Sequence, residues 1–297
     1  MANEHILETG KKIDWLDQLL IDQITIPGDK VVKNHTLLCM GENGILSSIY
    51  IRTLSGRRLE FNYEHAVLFA KQKDLIYEEP GQKIMWLSET PIRSEFEYSK
   101  LRDVTSTGAY NYHLDPFFDT LKYSKKPDDT TVQCCTEMLK YINEKLMKAS
   151  TIQGVYDSGV ERHNIHEAYL AKHPEKSSYS KPSVVMSIKG AGIDAPGCVC
   201  MFLNKKEEAL EWISRTRKHY FWIFRPDDIS KTSLEELRER YKQRGEFADQ
   251  YVGGIRQAIE TNTVEAYFQQ NYERNKAFIE EHSPFRLPEK WDALVKQ

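Results

Sequence analysis

The chain has 297 residues, 40% of them hydrophobic and 29% charged, with a net charge of -3. That balance suits a soluble globular protein long enough for two domains, and it excludes a mainly disordered chain or a whole-molecule polyanion binder. No apolar run approaches the roughly 20 residues of a membrane span. The start, Met1-Ala2-Asn3-Glu4-His5, lacks the basic-then-apolar pattern of a secretory signal. Among the five cysteines, Cys134-Cys135 are adjacent and Cys198 and Cys200 are close, which is not the spacing of a disulfide framework. The expected compartment is reducing and intracellular, cytoplasmic or nuclear.

Taken in order, residues 8–25 read as an amphipathic helix with Ile13, Leu16, Leu20 and Ile24 on one stripe, ended by Pro27-Gly28. Residues 36–40 form a short buried strand, and Gly41-Glu42-Asn43-Gly44 is a turn. Residues 49–54 are a strand, Ser55-Gly56 a turn and 57–63 a second strand, in which Leu59, Phe61 and Tyr63 alternate with Arg58, Glu60 and Asn62. A helix is expected over 64–74, with Ala66, Val67, Phe69 and Ala70 on its apolar side. Glu79-Pro80-Gly81 breaks it and 84–87 resumes as a strand.

This hairpin, helix and returning strand, with the run Thr53-Leu54-Ser55-Gly56-Arg57, resembles the first half of ubiquitin. Residues 101–104 and 109–114 would then supply the short turn and last strand. The resemblance implies a ubiquitin-like β-grasp module over about 45–115 that serves as a docking surface. No Gly-Gly follows and the chain runs on, which favours an embedded module over a conjugated modifier. An intein-like reading of 53–65 competes, but it lacks an initial catalytic cysteine and a terminal His-Asn.

Residues 115–130 read as a linker, after which Thr130 or Thr131 caps a helix reaching 148, with Val132, Cys135, Leu139, Ile142 and Leu146 on one stripe. A shorter helix spans 160–172, and 173–182 is a polar loop. Residues 183–224 then read as strand (184–188), glycine-rich loop (189–197), strand (198–203), helix (205–217) and strand (220–224). Helices follow over 234–243, 247–260 and 264–281, the first opened by a capping box of Thr232 or Ser233 with Glu235 or Glu236. The tail from Pro284 docks through Phe285, Leu287 and Trp291. The fold class is α+β: an N-terminal helix (1–30), the ubiquitin-like module (45–115), a helical connector (116–182), and a domain over 183–297 whose small antiparallel sheet is covered by C-terminal helices.

Chemistry is sparse. Cys198 and Cys200 share one face of their expected strand, and with His163 and His166, one helical turn apart, they would make a zinc set. Neither spacing is the usual one, so the expectation is no metal and no cofactor, with the cysteines in the core and the histidines at the surface. Cys198 or Cys200 as a nucleophile needs a base, and His219 is the nearest in sequence. The glycine loop is followed by a strand and not a helix, so it is no dinucleotide fingerprint. It would instead form an anion site from Lys189, the amides of Gly190 and Gly192, Arg217 and Lys218. The run 215–225, with Tyr220, Trp222 and Phe224 on one strand face beside arginines, suits nucleobase stacking. Asp128-Asp129 and Asp227-Asp228 read as turn residues. His113-Leu114-Asp115 has no distal partner.

With no paired acid and base, the expected function is a non-catalytic interaction or structural protein working through protein partners, without membrane insertion. The alternative is nucleic-acid binding or processing through the loop 189–197 and the strand 215–225.

Overall fold

The computed structural model describes residues 5–6, 13–33, 35–41, 44–53, 59–71, 122–172, 194–223, 233–282 and 285–295. They form a mixed helix-and-sheet protein. Five strands lie side by side in chain order: β1 (His5–Ile6), β2 (Asp29–Lys33), β3 (Thr36–Met40), β4 (Ile45–Thr53) and β5 (Leu59–Val67). β1 joins β2 in parallel, and the other pairings are antiparallel. The helices are α1 (Trp15–Gln23), α2 (Asp129–Lys148), α3 (Ile152–Lys172), α4 (Ala195–Phe202), α5 (Lys206–Ile223), α6 (Leu234–Glu260), α7 (Val264–His282) and α8 (Trp291–Val295).

Local chemistry sets these limits. Asp14 caps α1 by accepting from the Leu16 N–H at 2.9 Å, and Asp128, ahead of the expected Thr130 or Thr131, caps α2 through the Thr131 N–H. Ser233 and Glu236 make the expected capping box on α6. Before β2, Gly28 takes a φ of +119°, and a Cβ there would lie 2.1 Å from the Met40 carbonyl oxygen, so only glycine fits this turn.

Several expectations hold. β3 has the expected bounds, the β4–β5 hairpin forms, and α7 spans the expected helix. Phe285, Leu287 and Trp291 are all buried. Others are corrected. The helix expected from Glu64 is absent at its start, because β5 continues to Val67 and every residue from Leu59 pairs with β4. The far edge of β4 is taken by β3. The downstream parts of the proposed β-grasp module, 72–116, lie outside the described residues. The strand expected over 198–203 is instead α4, and 220–223 belong to α5, so the second antiparallel sheet has no counterpart among these residues. The strand over 184–188 lies outside them. The two helices expected over 234–260 are one, and α3 begins earlier than expected, at Ile152.

Two cores share the sheet. On one face, Val32, Leu37, Ile49, Ile51, Leu59, Phe61 and Tyr63 pack under Leu16 and Leu20 of α1 and Cys135, Leu139, Ile142 and Leu146 of α2. The larger core takes Leu38, Leu46 and Ala66 from the opposite face and joins them to α3–α8. Within it Phe69 lies 4.7 Å from Trp291 and 4.8 Å from Phe268, ring centre to ring centre. α4 crosses α5 so closely that a Cβ on Gly197 would meet Ile213 at 2.8 Å.

Polar ties fasten the chain leaving β5. The fully buried Asp194, just ahead of α4, accepts from the Lys71 backbone N–H and from the Tyr267 hydroxyl. The Asn275 amide donates to the carbonyls of Leu68 (2.7 Å) and Ala70 (3.0 Å). Buried carbonyls of this kind need such partners, because an unpaired one costs about as much as a lost hydrogen bond.

Candidate functional site

Antiparallel pairing places four chemically active side chains in one row across the sheet. Lys30 is opposite Cys39, Cys39 opposite Ser47, and Ser47 opposite His65. Neighbouring strands are about 4.8 Å apart, so the row spans about 14 Å. Strand alternation puts all four on the face that α1 and α2 cover. The next row on that face, Val32, Leu37, Ile49 and Tyr63, belongs to the smaller core, whereas Ile45 and Val67 on the other side belong to the larger one. The polar row is therefore the seam between two apolar clusters.

Its members differ in their partners. Ser47 Oγ and His65 Nδ1 are 3.2 Å apart, and the Tyr63 ring meets the imidazole edge-on. Cys39 donates its thiol hydrogen to the Pro27 carbonyl at 3.4 Å. Lys30 and Cys39 are each 1% exposed and Ser47 is 5%, while His65 is only half-buried. The Lys30 ammonium has no hydrogen-bond partner among the described residues. Burial pushes the Cys39 thiol up to about 12, against the opposing pull of the Lys30 charge. That thiol stays protonated, so it is no nucleophile. The arrangement offers a hydroxyl, an imidazole and a cation in line, a set suited to holding negatively charged oxygens.

The positions singled out from sequence fall elsewhere. Lys189, Gly190 and Gly192 lie outside the described residues. Arg217, on α5, grips Asp249 of α6 through both Nε (2.6 Å) and Nη2 (3.0 Å), so its fork is already occupied by a carboxylate. Lys218 is exposed on α5. Cys198 and Cys200 sit in a helix, where residues two apart diverge by about 200° instead of sharing a face. Burial raises both thiols, Cys200 to about 12 and Cys198 well above its ordinary value. His163 sits 3.2 Å from Arg215 Nη1 and edge-on to Trp212, a cationic neighbour that a zinc ligand would not have. The side chain of His166 lies outside the described residues, as do those of His219, Tyr220 and Trp222. Among the described residues, no group of three or more His, Cys, Asp or Glu is placed to hold a metal. No described helix is long and apolar enough to cross a membrane.

Sequence reasoning missed Lys30, Ser47 and His65. The available signal was a polar residue at an inward position of an alternating strand, legible only once the register is known.

A second feature is on the surface. From Leu234 to Gln243 α6 buries no side chain, and its first buried residue is Arg244. Leu234 is 67% exposed, Leu237 half-buried and Tyr241 45% exposed, and their spacing of three and four residues aligns them in one stripe. Glu235, Glu236, Arg238, Glu239, Arg240 and Lys242 flank it.

Comparison with protein families, with curated proteins and with solved structures finds no match to this chain.

Proposed function

We propose that this protein works by binding other proteins and not by catalysis, and that the first three turns of α6 are a contact surface. The observation supporting this is the exposed Leu234–Leu237–Tyr241 stripe, bordered by charges of both signs. Such a stripe loses free energy when a second amphipathic helix covers it, at about 25 cal/mol per Å² of apolar area removed from water. The protonated thiols at Cys39, Cys135 and Cys200, each held near 12 by burial, fit the same reading, since an acyl- or group-transfer cysteine needs a thiolate. A ubiquitin-like docking role rests, in this reading, on the β4–β5 hairpin alone.

The test is to purify the full chain from its native cells and weigh the assembly. A partner at fixed stoichiometry, lost in Leu234→Glu/Tyr241→Glu while the far-UV spectrum is unchanged, supports the proposal. Recovery of the chain alone, as wild type and variant both, defeats it.

A further inference from the structure

We propose that the seam between the two cores is a binding site for a small oxyanion, a phosphate or carboxylate group held between the Lys30 ammonium and the Ser47–His65 pair. This goes beyond the protein-binding role and uses a different part of the molecule.

An ammonium carries three donors and no acceptor, and a buried cation without a counter-charge is among the least favourable groups a fold can hold. Lys30 is 1% exposed, its Nζ has no hydrogen-bond partner among the described residues, and its acidic neighbour Asp29 is exposed on the opposite face of β2. An apolar side chain here would extend the row formed by Val32 on the same strand. The chain instead carries an ammonium that no group among the described residues hydrogen-bonds, as in a site completed by a ligand.

The rest of the row is built to complete it. Lys30 is paired across the ladder with Cys39, and Cys39 with Ser47, so the lysine side chain rises from the same face of the sheet as the serine. Beyond it stand a hydroxyl and an imidazole 3.2 Å apart; one hydrogen holds the pair together, and the pair has one more to donate to a ligand oxygen. The Cys39 thiol, committed to the Pro27 carbonyl, adds shape and no charge. The row runs from a fully buried cation at β2 to a half-buried ring at β5, so its more exposed end is the His65 end. Charge-assisted contacts from one ammonium and one neutral donor select an oxyanion over a neutral or cationic molecule.

The probes are inorganic phosphate and succinate, titrated into the full chain against sodium chloride of matched ionic strength, with the unfolding midpoint and the heat of binding as readouts. Wild type should show a saturable rise in midpoint with at least one probe. Lys30→Met, similar in length and uncharged, should bind at least tenfold more weakly while its ligand-free midpoint stays level or rises, since an uncompensated charge has gone. Ser47→Ala should weaken binding by a smaller factor, and it carries the test if Lys30→Met does not fold. No saturable effect on wild type by either probe, or the same affinity in the variant read, overturns the proposal.

Discussion

The Asp194 carboxylate accepts the backbone N–H of Lys71 at 2.7 Å, across 123 residues of chain. Its other oxygen takes the Tyr267 hydroxyl, and a Cβ on Gly254 would strike the Tyr267 ring at 2.8 Å. One buried acid thus ties the exit of β5 to the start of α4 and the first turn of α7, with α6 pressed against the contact.

Burial raises the folded-state pKa of Asp194 to about 6 from the ordinary 3.8, with the Tyr267 and Lys71 bonds opposing it. The folded protein therefore holds this proton more tightly than the unfolded chain. The stabilisation from this group is complete below the unfolded value and is lost as pH rises through the folded one. Asp194→Asn keeps an acceptor for Lys71 and has no such titration. Relative to that variant, wild type should lose on the order of 3 kcal/mol between about pH 4 and about pH 7, read by urea unfolding. A difference that does not change with pH would rule this out.

Asn275 is 3% exposed and satisfies two buried carbonyls, those of Leu68 and Ala70. Asn275→Leu conserves most of the volume and leaves both oxygens without their donor. It should cost about 2–4 kcal/mol, seen as a lower denaturant midpoint with an unchanged slope. A loss below about 0.5 kcal/mol, the ordinary range of a surface change, would show that the two carbonyls find other partners.

His35 has a φ of 61°, and its pKa is raised chiefly by the hydrogen bond to Asp17, against burial and with help from the charges of Asp17 and Asp14. Its contribution is complete below the ordinary 6.5 and disappears as pH climbs through the raised value. His35→Asn tolerates the same backbone conformation. The gap in stability between the two proteins should narrow from about pH 5.5 to about pH 8.5 by less than about 1 kcal/mol, because the ring is partly solvated. A gap that widens toward alkaline pH would contradict this.

Much of the helical framework was legible because polar faces expose the helical period. The stripe Cys135, Leu139, Ile142 and Leu146 and the capping box at Ser233 are examples. α4 was misread because 195–200 are all buried, so Cys198-Val199-Cys200 shows no polar side and reads equally as a strand. The same loss of contrast hid the end of β5, where Ala66 and Val67 are both buried and residues with helix preference are held in a ladder. The seam was the least legible part. Sliding β4 by one residue would exchange Ser47 for Ser48 on the covered face, so composition alone never singles out the serine beside His65.

The sheet from β2 to β5 has a kinetic consequence. Each of these strands pairs with its neighbour in sequence, so closing the gap between β4 and β5, the longest among them, costs a flexible chain only about 1.4 kcal/mol. The Asp194–Lys71 tie closes a stretch of 123 residues, about 4 kcal/mol on the same scale. The hairpins can zip early and cheaply, and the long-range fastening comes last. The seam would then be lined up before the C-terminal helices arrive, a nascent groove that the late-folding half of the chain closes.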